Sequence, residues 1–298
     1  MSVLLGISGG LSVDHLVHAP FGARFGCLGG PGLYAALAAR LIPETQVRLH
    51  CSLPRSTPEF ARVLSDAGVD LTLAEHVEDV PRVWILTSDQ GRRIVSTSPP
   101  RGNELANTDA PAPGEELQQE LPDQFLATLD SLLCCSPRAL PAAAAGTLIA
   151  VDPDQRYVQD KGDDYWKSVA APGGVLLPSR VQLTSIEIDA RQAALRLAAQ
   201  TGIRVVARLD ADGMLAVDTD GRTWTVTDDD VHVTDTTGAG DASAGAIVAA
   251  LSTGADLATA AAYGVSVARI VLSDWGHAAL TRAAPLAAPL DRVRVIGR

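Results

Sequence analysis

Asp235-Thr236-Thr237-Gly238-Ala239-Gly240-Asp241 leads directly into an alanine-rich stretch that reads as a helix to Ser252, with Gly254 as its stop. Two glycines let the backbone curl so that successive N–H groups face one side at the start of the helix. There the unpaired donors and the helix dipole both favour an anion. An aspartate in such a cradle repels the anion, and a general base that takes a proton as charge develops would explain its presence. On these residues alone a second reading stays open, in which Thr236 or Thr237 and Asp241 merely cap a helix.

Three glycine-motif readings fail on their own terms. Gly6-Ile7-Ser8-Gly9-Gly10 has the string of a hydrolase nucleophile elbow, but strand-like Leu11 to Val17 follows it instead of a helix. Gly238-Ala239-Gly240 would begin a dinucleotide fingerprint, yet Ser243 stands where glycine is required. Gly240 to Gly245 has P-loop spacing, with Ala246-Ile247 in place of Lys-Ser/Thr.

Upstream of the motif, short apolar runs at Val3–Ile7, Val47–Leu53, Val69–Leu73, Leu132–Ser136, Leu148–Asp152, Val175–Leu177 and Arg204–Leu209 read as buried strands. Helical patterns lie between them: Gly32–Leu41 behind Pro31, a segment from Thr57 to Gly68 with Thr57 as cap, Glu115–Leu132 broken at Pro122, and stretches near 138–145, 163–170 and 187–200. Asp220-Gly221 reads as a hairpin turn, and a last long helix runs from about Asp256 to Leu272. This alternation indicates right-handed βαβ units and an α/β fold, a doubly wound, mostly parallel sheet flanked by helices. Two exposed β segments, 12–27 and 81–97, interrupt the rhythm and could pair as a small sheet outside the core. The second reads as a hairpin about Ser88–Gly91. A long Pro-, Asn- and Gly-rich loop follows at 97–114.

The chain has 298 residues and a formal net charge of −11, so a polyanionic partner such as nucleic acid is not expected, although a small anionic ligand is compatible. Neither a signal peptide nor an apolar run long enough to span a membrane is visible, and the four cysteines show no CxxC pattern. A cytoplasmic protein with reduced thiols is expected. Alanine occurs 47 times, which fits closely packed helices, and lysine only twice against 22 arginines. His, Cys and carboxylates show no zinc-like spacing.

The 235–241 stretch resembles the DTxGAGD signature of the ribokinase-like (PfkB) carbohydrate and nucleoside kinases, matching it at every specified position. Gly29-Gly30-Pro31-Gly32-Leu33-Tyr34-Ala35-Ala36 resembles the family's N-terminal glycine signature. Gly9 to Asp14 resembles the end of its first strand, and Val151-Asp152-Pro153-Asp154-Gln155-Arg156 its DPNxR stretch. The resemblance covers about residues 3–280. It implies a kinase core over 1–11, 28–80 and 98–298, with 12–27 and 81–97 as a β lid over the substrate. It also implies transfer of the γ-phosphoryl group of ATP to a hydroxyl of a small sugar-like acceptor, with a nucleoside kinase or a non-catalytic sugar- or nucleoside-binding descendant as alternatives.

In that reading Asp241 is the base. The N–H groups of Thr237, Gly238, Ala239 and Gly240 hold the γ-phosphate. Asp14, Gly29, Gly30, Tyr34 and Arg156 meet the acceptor, and Arg208, Gly213 and His277 lie at the nucleotide. Asp235 helps to organise Mg2+ through water. His15 and His18 either face the substrate or sit on a solvated lid surface. A homodimer through open strand edges of the lid is also expected.

The chain departs from the family pattern at three places. Ser179 and Gln182 stand where an Asn-x-x-Glu motif linked to Mg2+ is usual. Arg208-Leu209-Asp210 replaces a Thr-x-Gly turn. Pro31 and Tyr34 replace the Lys and Asn of the ribose branch, so ribose itself is not the expected acceptor.

Overall fold

The first apolar run forms β1 (Val3–Ser8), and the segments after it form β2 (Ser12–His18) and β3 (Gly22–Gly29) before α1 (Pro31–Ala39). Then come β4 (Thr45–His50), β5 (Ser52–Pro54), α2 (Glu59–Asp66), β6 (Glu75–Val77), β7 (Arg82–Ser88) and β8 (Gly91–Thr97). The middle of the chain holds α3 (Asp123–Leu126), β9 (Ser131–Cys135), β10 (Leu148–Asp152), α4 (Gln155–Lys161), α5 (Asp163–Ser168), β11 (Val175–Leu176), α6 (Arg180–Thr184) and α7 (Ala190–Thr201). β12 (Arg204–Arg208), β13 (Met214–Val217), β14 (Thr223–Asp228), α8 (Ala239–Ser252), α9 (Leu257–Leu272), α10 (Ala278–Arg282) and β15 (Val293–Gly297) complete it. The computed structural model describes residues 2–19, 21–88, 91–97, 120–143 and 146–297.

The strands build a nine-stranded sheet in the order β15-β14-β13-β12-β11-β10-β9-β1-β4. From β4 to β12 neighbouring strands are parallel, and β13, β14 and β15 are added antiparallel. Its central strands are covered on both faces, which is why they read as unbroken apolar runs rather than alternating ones. One core joins α1, α8 and α9 to the sheet, and a second joins α5 and α7 to it. The alanines permit this packing: a Cβ on Gly245 of α8 would overlap the Ala35 carbonyl of α1. Aspartates cap α7 and α9, and Gly202 ends α7 in the left-handed region at φ 69°.

The two interrupting segments pair as a separate four-stranded sheet in the order β3-β2-β7-β8. Among the described residues no helix is long and apolar enough to cross a membrane.

Several local expectations change. Residues 69–73 give only a bridge from Asp70 to Arg48, and the strand there is β6. Residues 120–132 hold one helical turn, α3, beginning after Pro122. Residues 115–119 of that expected helix and 98–114 of the long loop lie outside the described residues. Residues 138–143 are not helical despite their alanines: Pro137 and Pro141 leave no uninterrupted N–H ladder. Thr57 gives no side-chain cap to α2, which begins behind Pro58. The short helices α4 and α6 had no expectation behind them.

Candidate active site

β1, β9, β10 and β12 run parallel, so Ser8, Cys135, Asp152 and Arg208 end at the same edge of the sheet, the edge where open α/β sheets present ligand sites. Two loops come together there. Gly30, at φ 95°, turns the chain into α1, and its missing side chain leaves room for the Gly10 carbonyl and the Ser12 N–H. Gly32 in turn lets α1 close onto the Gly9 carbonyl. Because α8 packs against α1, the Gly238–Asp241 loop lies beside this turn. The ring of Tyr34 is laid against Gly238, where a Cβ would overlap it.

Gly238 adopts φ 75° and forms the N-terminal boundary of α8. Asp235 is fully buried and fixes the loop from beneath. Its carboxylate accepts from the Thr237 N–H at 2.9 Å and the Gly276 N–H at 2.9 Å, and His18 Nε2 lies 3.1 Å away. The Thr237 N–H is therefore spent inside the protein and is not a phosphate donor, contrary to expectation. The Ala239 N–H makes a long contact of 3.4 Å to the Thr236 carbonyl. Among the described residues, the Gly238 and Gly240 N–H groups meet no acceptor.

Asp241 sits in the first turn of α8. Burial raises its carboxyl to about 6, and the Asp152 charge adds to the rise, while Arg208 and Arg92 act against it. Asp152, at the end of β10, is held by Arg208 through two hydrogen bonds of 2.8 and 2.5 Å. Arg208 Nη1 also donates to the Gly240 carbonyl at 2.7 Å. Arg208 was expected at the nucleotide. The structure instead buries it under the cradle, with its donors turned to Asp152 and Gly240.

Asp14 is buried on β2 and accepts from Ser12 Oγ at 2.7 Å. Gly29 is its floor, since a Cβ at 29 would overlap the Asp14 carboxylate. The Tyr34 hydroxyl is buried with no hydrogen-bond partner among the described residues, close to Gly276. Burial, with the charges of Asp14, Asp235 and Asp241, pushes its pKa well above the usual tyrosine value.

The four-stranded sheet turns one face to this site. Leu16, Val83 and Ile85 pack there with Trp275. His18 lies on the same face, buried against the Trp275 ring at 4.9 Å and beside Asp235, so it is neither solvated nor open to substrate. Arg24, opposite Leu16, lies over Trp275 at 5.1 Å, and Arg92, opposite Thr87, reaches the field of Asp241. His15 takes the other face, with Trp84 at 4.6 Å.

The remaining expected residues lie further out. Gly213, at φ 75°, closes the turn after β12: its carbonyl accepts from the Leu209 N–H at 2.7 Å, and a Cβ would overlap the Val226 carbonyl. Arg180 ties that turn down through Asp210 at 3.0 Å and Asp212 at 2.5 Å. His277 Nδ1 lies 3.3 Å from the Leu28 carbonyl, beside the Gly29 turn, and burial lowers its pKa. Arg156 is exposed in the first turn of α4, where Asp154 caps the backbone.

A protein-held Mg2+ does not fit these residues. Both Asp235 oxygens are engaged at zero exposure. Ser179 caps α6, and Gln182 completes a capping box: its Oε1 accepts from the Ser179 N–H at 2.7 Å, and its Nε2 donates to the Pro153 carbonyl at 2.6 Å. Asp152 is consumed by Arg208. Among the described residues no group of three or more His, Cys, Asp or Glu could hold a metal ion. Asp235 therefore presents no exposed oxygen to an ion.

Sequence reading gave no role to Asp152, Arg92, His18 as a buried partner, or Gly276. Asp152 had a visible signal, a carboxylate ending an apolar strand. The others depend on pairing across distant segments.

Residues 175–282 match the family described as pfkB family carbohydrate kinase. Over that stretch the chain is similar to the ribokinase-like (PfkB) kinases. That family consists of phosphotransferases with an alcohol group as acceptor. Solved kinase structures share the fold over nearly the whole chain. Ribokinase from Cryptococcus neoformans var. grubii serotype A, in complex with ADP, superposes with a TM-score of 0.67 at 19% identity, over 93% of this chain and 95% of that one. Aminoimidazole riboside kinase from Salmonella enterica, complexed with aminoimidazole riboside and an ATP analog, gives 0.70 at 19% identity over 95% and 97%. Adenosine kinase from Sinorhizobium meliloti gives 0.72 at 16% identity over 97% of each chain. No curated protein matches the sequence.

Proposed function

We propose that this chain is a PfkB kinase that transfers the γ-phosphoryl group of ATP to a hydroxyl of a small sugar-like acceptor such as a sugar, cyclitol or pseudo-sugar glycoside. One observation carries the reading. Asp241, with its carboxyl raised to about 6, lies in the same helical turn as the two uncommitted N–H groups of Gly238 and Gly240, beside the Asp14–Gly29 turn. Fixed donors at a helix N-terminus suit the oxygens of a transferring phosphoryl group, and they need no reorganisation as charge builds. A carboxylate of pKa near 6 is still ionised at neutral pH, and it accepts a hydroxyl proton better than an ordinary aspartate does. As the acceptor oxygen bonds to the γ-phosphorus and the bond to ADP breaks, Asp241 takes the proton.

In this reading Asp14 receives acceptor hydroxyls from the buried side, with Gly29 and Gly30 giving the backbone room around it. The Tyr34 hydroxyl, buried without a partner, supplies a donor on the same wall, and the four-stranded sheet closes over the acceptor with Arg24 and Arg92 on its inner face. An unpaired buried hydroxyl costs about 1–3 kcal/mol, so an acceptor oxygen that pairs with it binds better than an apolar group there. Arg156 reaches the far end of the acceptor. ATP consumption across a panel of sugars, cyclitols, glycosides and nucleosides tests the reading. Turnover of a sugar-like acceptor that is lost in Asp241→Asn supports it. Tight ligand binding with no turnover of any member supports a binding protein on the same fold instead.

A further inference from the structure

Apart from Asp241, the proposed base, the described residues around the cradle leave no carboxylate uncommitted to hold a cation, yet the cradle has a cation built in. Arg208 ends β12 directly beneath the first turn of α8, with Nη1 shared between Asp152 and the Gly240 carbonyl. Its charge opposes the rise of the Asp241 carboxyl. The guanidinium and the Asp152 carboxylate form a planar two-bond pair, buried on both sides.

The pair has two consequences. The positive charge beside the cradle cannot leave, because its counterion is fixed to it and both groups are shut away from water. And both oxygens of Asp152, the carboxylate whose charge acts most on Asp241, already face the Arg208 guanidinium, whose positive charge opposes a metal there. The positions where the family pattern places an Asn and a Glu carry Ser179 and Gln182, whose polar atoms serve the capping box and Pro153.

We propose that Arg208 takes the place, in this chain, that a protein-held divalent cation would have on Asp152 beside the Gly238–Asp241 cradle. The site then admits only the divalent ion that the nucleotide itself chelates. Arg208 is a positioning residue in this scheme: it orients the Gly240 peptide and offsets the Asp152 charge without touching the reacting atoms. The inference rests on the kinase reading of the site, but its test does not require turnover.

Mn2+ is the probe, followed by the paramagnetic resonance of the free ion with the full-length protein. Wild-type protein alone is expected to leave Mn2+ free, and one ion per chain is bound only when ADP is added. Arg208→Met releases Asp152 beside Asp241, so that variant is expected to bind one Mn2+ per chain without nucleotide. Arg208→Lys keeps a cation there and is expected to bind none. In turnover, Mg2+ beyond the nucleotide concentration is expected to change the wild-type rate by less than about twofold, and Arg208→Met to lower kcat by about 10- to 100-fold.

Stoichiometric Mn2+ binding by nucleotide-free wild type, abolished by Asp152→Asn, overturns the proposal. So does a folded Arg208→Met that binds no Mn2+. Where Arg208→Met fails to fold, the wild-type titration and the Arg208→Lys variant decide between the outcomes. Absence of phosphoryl transfer to every acceptor, with the Mn2+ results as expected, counts against the kinase reading alone.

Discussion

A Cβ on Gly238 would overlap the ring of Tyr34, so α1, behind the glycine turn, and α8, behind the 235–241 loop, close on each other at this point. Gly238 has no room for a side chain there, and it also sits at φ 75°. Gly238→Ala therefore meets two penalties: left-handed backbone costs about 1–2 kcal/mol and overpacking about 1–3 kcal/mol. We expect a loss of about 2–5 kcal/mol in denaturant unfolding and a fall in kcat of about a hundredfold, as for loss of one oxyanion donor. A variant of normal stability and normal kcat would show that neither constraint operates.

How much of this was legible in the chain follows from how local each signal is. Residues 235–241 and the start of α8 are a local matter of glycines, an aspartate and an alanine run, and the structure folds them into a turn that leads into α8. The parallel sheet was legible because its strands are buried on both faces. What escaped needs long-range pairing. Arg208 and Asp152 are 56 residues apart, and His18 meets Asp235 across most of the chain. The alternation of β2 marks two faces but does not say which one Trp275 covers. Thr237 looked like a phosphate donor because its N–H is next to the glycines. Only the fold shows that the Asp235 side chain turns back and takes that N–H.

Asp235 ties the Thr237 N–H to Gly276 and lies against His18. Asp235→Ala strands two buried N–H groups, at about 1–3 kcal/mol each. Thermal unfolding should show a loss of about 2–5 kcal/mol, together with reduced kcat, because the loop loses its anchor. Asp235→Asn keeps one acceptor oxygen and should lose less than half as much. Equal damage from both substitutions would point to the charge instead of the hydrogen bonds.

Ser179 and Gln182 act on the helix and not on a metal. Ser179→Ala removes the side-chain cap of α6 and should cost about 1 kcal/mol of stability. The dependence of the rate on Mg2+ should stay as in wild type. A changed metal requirement in this variant, measured at fixed nucleotide, would contradict the capping role.

Arg92 belongs to the edge strand of the four-stranded sheet and lowers the Asp241 carboxyl through its charge. Arg92→Gln should move the acid limb of the kcat/KM profile to higher pH by roughly a few tenths of a unit at low ionic strength, and salt should shrink the difference because an exposed charge is screened. A limb that stays in place at low salt would place Arg92 too far from Asp241 to matter during turnover.

Asp241 itself should be a catalytic asset and a stability cost at the same pH. As a base it must be ionised, so kcat/KM should fall as pH drops through about 6. For stability the sign is reversed. The folded carboxyl binds its proton more tightly than the unfolded chain does, so folding is favoured below the ordinary aspartate pKa, and that contribution disappears as pH rises from there through about 6. Asp241→Asn removes the buried charge. It should therefore raise Tm by about 2–4 °C at pH 7, a shift that corresponds to roughly 1 kcal/mol in a chain of this size, and leave Tm almost unchanged near pH 4. The same substitution should lower kcat by about 10²- to 10⁴-fold at pH 7. Scanning calorimetry at the two pH values and a single-turnover assay measure both effects on one protein preparation. A Tm that falls at pH 7 would mean that Asp241 is a stabilising cap for α8, which would restore the capping reading of the motif.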